Sequence, residues 1–425
     1  MISAEDNLLL TSVGKGTPGG DFHRRYWHPV ATVSDLAKNP VKKVRILGEN
    51  LILHRSLRGT LGLTEEKCPH RNVSLEYGIP DNEGIRCPYH GWLFNSSGLC
   101  LNTPLEPAAS KVALKACIKA YPVQELSGLI FAYLGVQPAP KLPKWDLFVS
   151  ANSLRQIGTA TVNCNWLQIA ENGQDVRHSE YTHGHFYEYV LKRNGKWPEN
   201  PEGIRPYRDI HHPITKNETK KAANGFINII ERSATPSQEF YRGIHNYHIF
   251  PYAVRHGGLK PMTSKYDLHW RVPIDDTTSW YIYYEVFTFP PDIAVPKQEM
   301  VPHFEIPLWT ETGDRILDDS QTGQDIACWE SQGAIADRTI EKLGSSDMAI
   351  VAFRDLLRRQ IEIVKNGGIP MNVFENDHGS LELEPPIGMF DKDYKTVLLE
   401  HLKRIPFVIS KYGSLHEDIK NILGM

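Results

Sequence analysis

A chain of 425 residues, 41% hydrophobic and 23% charged, is long enough for two or three domains with cores of their own. Its 47 basic and 50 acidic side chains leave a net charge of −3, which argues against nucleic acid or an anionic membrane as the main partner. No apolar run approaches the ~18 residues of a membrane span, and Met1-Ile2-Ser3-Ala4-Glu5-Asp6 lacks the basic and apolar stretches of a secretory signal, so a cytoplasmic location is expected.

Asn7 to Val13 reads as a short helix, broken at Gly14-Lys15-Gly16-Thr17-Pro18. The aromatic and basic segment Arg24-Arg25-Tyr26-Trp27-His28-Pro29-Val30 then leads into the first domain. Val44–Leu47 and Leu51–His54 are short apolar runs split by Gly48-Glu49-Asn50, the pattern of a hairpin.

Two chemically loaded loops follow. Cys68-Pro69-His70-Arg71 and Cys87-Pro88-Tyr89-His90-Gly91-Trp92 each offer one thiolate and one imidazole. A Rieske [2Fe–2S] centre needs that set, because two Cys hold one iron and two His the other. A structural zinc site also accepts two Cys and two His, but zinc fingers usually pair like with like, whereas each pair here mixes the types. The segment resembles Rieske proteins, including its prolines and the Gly-Trp after His90. That resemblance implies Cys68 and Cys87 on one iron, His70 and His90 on the other.

An Asn-Ser-Ser-Gly turn lies within Phe94–Leu99, and Leu129–Leu134 reads as the last strand of this region. The proline-rich run Gln137–Pro143 is expected to act as a linker. Cys100, Cys117, Cys164 and Cys328 show no paired spacing and are expected as buried thiols.

A two-iron cluster moves single electrons and has no open position for oxygen, so the rest of the chain must hold a reaction centre. Asn165 to His183 supplies a candidate, with a helix expected over Ile169–His183. His178 and His183 stand five residues apart, a spacing that a slightly distorted helix can converge on one metal. A carboxylate would complete a facial triad of two His and one acid, the arrangement of non-haem iron oxygenases. By composition Asp318, Asp319, Asp325 and Glu330 all qualify, and Asp325 could equally cap a helix.

The string Asn165-Trp166-Leu167-Gln168 to His183 resembles the catalytic segment of Rieske non-haem iron oxygenases. The likeness is to their phthalate dioxygenase branch, which includes ring dihydroxylases and aromatic O-demethylases. Gly16-Thr17-Pro18, Arg24–Trp27, Val272–Asp276 and Asp337-Arg338-Thr339 with Glu341 look like the same branch. The resemblance implies Asp325 as third iron ligand and catalytic roles for Asn172 and Asp175. Asp175 would bridge His178 to His90 of a neighbouring subunit in a head-to-tail homotrimer. It also implies oxidation of an aromatic acid with O2, by ring hydroxylation or dihydroxylation, or alternatively O-demethylation of a methoxylated lignin-derived or biaryl acid. Electrons would come from NAD(P)H through a reductase or ferredoxin.

The fold expected is α+β. An N-terminal helical segment over 1–38 packs on the catalytic domain, and an all-β Rieske domain spans 39–145. Over 146–425 a catalytic α+β domain carries an antiparallel sheet flanked by helices. Arg205, Arg208, Arg242 and Arg255 are candidates to clamp a substrate carboxylate. Arg193 to Lys221 reads as an extended surface excursion, a possible lid. Trp280–Phe287 suits a central strand, and Ser346 should cap a helix whose apolar stripe runs Ile350, Phe353, Leu357, Ile361 and Val364 before Gly367-Gly368. An electron-transfer module with a non-catalytic partner domain, and a zinc-stabilised binding protein, are the competing readings.

Overall fold

The computed structural model describes residues 2–107, 115–234, 241–257, 264–383, 394–407 and 409–425. It contains two compact units, one of residues 12–143 with 363–377, the other of residues 1–11, 144–362 and 378–425.

The first unit is built from three antiparallel sheets. In one, Trp27–Thr32 pairs with Leu129–Tyr133, which pairs in turn with Val123–Leu126. This pairing draws residues 12–38 into the unit, so its limits differ from the expected 39–145. Only the helix Ala4–Thr11 belongs to the other unit, where Asp6 pairs with Arg358 at 3.2 Å.

A second sheet runs Val41–Ile46, Glu49–Arg55, Leu61–Glu65, Ala120–Tyr121. Its first hairpin turns on Leu47 and Gly48, with φ of 49° and 79°, which leaves Glu49 and Asn50 in the strand. Two left-handed residues match the right-handed twist of the flanking strands. The third sheet, Ile79–Pro80, Gly84–Arg86, Leu93–Asn95, Cys100–Asn102, packs Ile85 and Phe94 against Ile52, Leu75 and Ile118. The proline-rich run is pinned rather than free. Trp27 Nε1 donates to Pro140 O at 2.9 Å, and Lys141 N donates to Phe374 O at 2.7 Å.

The second unit centres on eight strands, in the order Ile214–Ala222, Gly225–Arg232, Tyr241–Ile249, Ala253–Gly257, Ser264–Pro273, Ser279–Thr288, Ser153–Val162, His303–Glu305. Every pairing is antiparallel except the last, which is parallel. Ser279–Thr288 is interior, as its β-branched and aromatic run implies. The expected surface excursion is instead ordered into helix Arg205–His211 and edge strand Ile214–Ala222. Its lysines mimic a loop in sequence, yet they are what keeps an exposed sheet edge from pairing with another chain.

Helices Trp166–Asn172 and Gln321–Ser331 lie on one face of this sheet. Ile169, Ile326 and Trp329 share a core there with Ala160, Tyr281 and Tyr283. Helix Met348–Lys365 buries Phe353, Leu357 and Ile361 and stops where Gly367 turns left-handed at φ 79°. A short 3₁₀ turn, Ser345–Asp347, precedes it, so Gly344 takes the capping position expected of Ser346. Of the four unassigned cysteines only Cys164 is buried; Cys100 is half-buried, and Cys117 and Cys328 are exposed. Among the described residues no helix is long and apolar enough to cross a membrane.

Candidate metal centres

The two loops of the first unit share one construction. Cys68 O accepts from Asn72 N at 2.9 Å, and Cys87 O accepts from Gly91 N at 3.0 Å. In each, proline follows the cysteine and the fifth residue is left-handed, with φ of 57° at Asn72 and 74° at Gly91. Asn and Gly are the residues that tolerate that conformation. Arg86 braces the second loop, donating to Gly91 O at 2.6 Å while paired with Asp81 at 2.8 Å.

These turns bring the four predicted ligands together. The His70 and His90 rings lie 4.4 Å apart, and Trp92 stacks flat on His70 at 4.5 Å. Both cysteines are buried, and burial, reinforced by the neighbouring Cys87, pushes the Cys68 thiol up to about 11. Two crowded thiols in an apolar pocket, with the His70 Nδ1 buried and unbonded, fit a cluster that takes them as thiolates.

In the second unit the helix expected over Ile169–His183 is broken. An α-helix ends at Asn172, and Ser179–Phe186 is a π-helix with His178 just before it. The break has a chemical use. Residues five apart diverge by about 140° on an α-helix, but the wider π turn realigns them. The His178 and His183 rings accordingly meet edge to face at 5.1 Å.

Asp325 joins them from helix Gln321–Ser331, whose N-cap is Ser320, so Asp325 is not a cap. Its Oδ1 lies 3.5 Å from His178 Nε2 and 3.3 Å from His183 Nε2. The three ligand atoms fall within 4.8 Å of one another. Asp318, Asp319 and Glu330 are engaged with Lys196, Lys411 and Arg315 instead.

Both imidazoles are oriented by a bond at the other nitrogen. His178 Nδ1 lies 2.5 Å from Asp175 O, so it donates there and its Nε2 keeps a lone pair. The Asp175 carboxylate is 3.7 Å from the same nitrogen and accepts from Arg177 N at 2.8 Å. Asn172 Nδ2 lies 3.4 Å from it. His183 Nδ1 faces Gln324 Oε1 at 3.0 Å, and Gln324 Nε2 donates to Leu317 O at 3.0 Å, which fixes the amide's orientation. Gln324 escaped the sequence reading; its only signal is adjacency to Asp325.

Electrostatics agree with a cation site. Burial disfavours the charged Asp325, yet His183 and His178 hold its carboxyl far below the usual range. Burial likewise opposes protonation of His178, but the facing Asp175 and Asp325 carboxylates push it up to about 10. For His183 burial wins and the pKa falls. Asp325 Oδ1 is buried with no hydrogen bond, so the residues present fit a metal ion, with Asp325 and both Nε2 atoms as the donor set.

The four candidate arginines separate. Arg242 is exposed and paired with Glu231 at 3.4 Å. Arg255 is buried, stacked 4.0 Å over Tyr266, with Asp146 at 3.7 Å. Arg205, Arg208 and Arg232 all converge on the fully buried Asp209. Their charges overcome burial to hold Asp209 well below the usual carboxylate range, and a single carboxylate leaves this group net positive. Arg208 gives Nε and Nη2 to Asp209, whereas Arg205 gives only Nε, at 2.9 Å. The Arg205 Nη atoms find no partner among the described residues.

Comparisons with known proteins bear on this arrangement. Residues 26–122 match the Rieske [2Fe-2S] domain, and residues 319–397 match a family described as LigXa C-terminal domain like. The 5,5'-dehydrodivanillate O-demethylase oxygenase subunit of Sphingobium sp. is 32% identical over 99% of this chain and 96% of its own. The chain belongs to the Rieske non-haem iron oxygenases. It is a terminal oxygenase subunit, an oxidoreductase whose cofactors are a Rieske [2Fe–2S] cluster and a mononuclear iron, and this family works with reductase or ferredoxin partners. Another Rieske oxygenase, the phthalate 4,5-dioxygenase oxygenase subunit of Pseudomonas putida, is 31% identical over 84% of this chain and 85% of its own. The fold resembles that of an NdmA QL mutant from Pseudomonas putida CBB5, with a TM-score of 0.60 at 17% identity, over 88% of this chain and 98% of that one.

Proposed function

We propose that this terminal oxygenase demethylates a methoxylated aromatic acid, with a biaryl acid as the leading class. One oxygen atom of O2 enters a methyl C–H bond, and the hemiacetal collapses to a phenol and formaldehyde. The other atom leaves as water, with two electrons supplied through the cluster and two protons from solvent. The observation that supports this is the likeness to the 5,5'-dehydrodivanillate O-demethylase subunit, which runs through both units almost end to end. Ring hydroxylation or dihydroxylation of an aromatic acid is the second reading, favoured by the likeness to the phthalate 4,5-dioxygenase subunit.

In this reading Cys68, His70, Cys87 and His90 hold the cluster in a domain centred on residues 39–145. His178, His183 and Asp325 hold iron in the catalytic domain, and that iron supplies the redox chemistry that splits dioxygen. Asp175 couples His178 to His90 of a neighbouring copy in a head-to-tail homotrimer, with Asn172 beside it. Arg205 receives the substrate carboxylate, since its Nη atoms are the unpaired donors of a net positive group. NAD(P)H is the ultimate electron source, and the enzyme works in the cytoplasm.

The test is turnover of 5,5'-dehydrodivanillate and of phthalate under isotopically labelled dioxygen with a reductase system. Formaldehyde in step with substrate loss, and a phenol that keeps its unlabelled oxygen, is the expected result. Two labelled atoms in a ring product without formaldehyde would establish the second reading.

A further inference from the structure

Three histidines outside the metal site stand side by side on the sheet face that carries the iron-site helices. His256 and His269 come from adjacent strands, and their rings lie 4.6 Å apart. His245 sits where the pairing of Gly225–Arg232 with Tyr241–Ile249 slips between Asn228 and Ile229, and this bulge turns its ring to within 5.9 Å of His256. The same face holds Tyr281, whose ring packs 5.8 Å from Trp329. Trp329 lies one turn beyond Asp325 on the same helix, so the array borders the iron site.

His245, His256 and His269 each retain accessible surface. Arg205 is close enough for its charge to depress the protonation of all three. Burial, with Arg205 and Arg232, lowers His245 to about 3; burial with Arg271 does the same to His269. The rings are therefore neutral and add no charge for a carboxylate.

One of them has a hydroxyl partner. Tyr281 Oη lies 2.9 Å from His269 Nδ1, and with Tyr281 as the donor the ring accepts at Nδ1. A neutral imidazole that accepts at Nδ1 carries its proton on Nε2. The His269 Nε2 and both nitrogens of His256 have no partner among the described residues. The metal-competent group among the described residues is His178, His183 and Asp325.

We propose that His269, with His256 beside it, docks a ring oxygen of the substrate, a phenolic hydroxyl or its methyl ether, next to the iron site. His269 donates from Nε2, and His256 accepts the proton of a hydroxyl. The substrate is then held at two ends, its carboxylate by Arg205 and its ring oxygen by the histidines. This inference rests on the reading of the enzyme as an oxygenase of methoxylated aromatic acids.

The test is anaerobic calorimetric binding of two probes to the iron-loaded holoenzyme, 5,5'-dehydrodivanillate and biphenyl-3,3'-dicarboxylate, which has the same carboxylates and no ring oxygens. His269→Ala should weaken the oxygenated probe about 10-fold and leave the bare diacid within about 2-fold. Tyr281→Phe, which removes the hydroxyl beside His269 Nδ1 while keeping the ring, should give a smaller loss on the oxygenated probe alone. Arg205→Ala should weaken both probes alike. Equal effects of His269→Ala on both probes, or none on either, overturn the docking role while the aromatic-acid reading stands. Failure of the unsubstituted enzyme to bind either probe overturns both together.

Discussion

Gln324 Oε1 lies 3.0 Å from His183 Nδ1, with the amide held the other way round by its bond to Leu317 O. Partners of this kind set the tautomer and direction of a ligating imidazole, and losing one typically costs 10–100-fold in metal affinity. Gln324→Leu should therefore shed the mononuclear iron about 10–100-fold more readily under chelator dialysis, while the cluster's visible spectrum stays unchanged. Equal retention of that iron in the variant and the parent would refute the orienting role.

Different parts of these sites were legible in the sequence to different degrees. The candidate cluster ligands stand out because each thiol, imidazole and turn residue sits within one short loop, from Cys68 to Asn72 and from Cys87 to Gly91. His178 and His183 were visible as a pair, but the π-helix that aligns them has no sequence signature beyond the spacing. Asp325 comes from a helix more than a hundred residues further on, and only resemblance selected it among four acids. The arginine candidates could not be ranked at all, since what distinguishes Arg205 from Arg208 is how each guanidinium meets the buried Asp209. Residues 12–38 were misplaced because a strand's partner, here Leu129–Tyr133, lies about a hundred residues away. The Lys216–Lys221 strand was missed because charged edge strands and polar loops share a composition.

The Asp175 carbonyl orients the His178 ring at 2.5 Å, while the Asp175 carboxylate stands 3.7 Å from the same ring nitrogen. Asp175→Asn keeps the carbonyl, so both metals should load normally. If the carboxylate couples His178 to a neighbouring cluster, turnover should fall by at least about 100-fold, a general acid–base scale of effect. Single-turnover oxidation of the reduced cluster is the measurement that isolates the step, and near-parent rates at full iron content would rule out the coupling.

Arg205 and Arg242 offer a paired comparison. Arg242 is 52% exposed and already paired with Glu231, so Arg242→Ala should leave KM within about 2-fold. Arg205→Lys keeps the charge but loses the planar fork that meets a carboxylate at two points. KM for an aromatic acid should rise about 10-fold or more, the cost of a charge-assisted hydrogen bond. Equal KM values for the two variants would remove Arg205 from the substrate site.

Part of the acid sensitivity should come from buried histidines of the first unit. His54 is buried in the strand Glu49–Arg55, with both ring nitrogens lacking partners and its ring against Gly62. Burial drops it to about 4, and burial likewise takes His28 to about 4. In the unfolded chain each would titrate near 6.5. Above that value both states are neutral and pH has no effect through these groups. As the pH falls from 6.5 towards 4 the unfolded chain gains protons that the folded chain cannot take, so stability declines, and below about 4 the dependence levels off. At pH 5 the loss is about 2 kcal/mol for each histidine. His54→Leu removes one of these groups together with its unbonded nitrogens. Urea midpoints at pH 7 and pH 5 should differ less in this variant than in the parent, and an unchanged difference would mean that His54 is not the source.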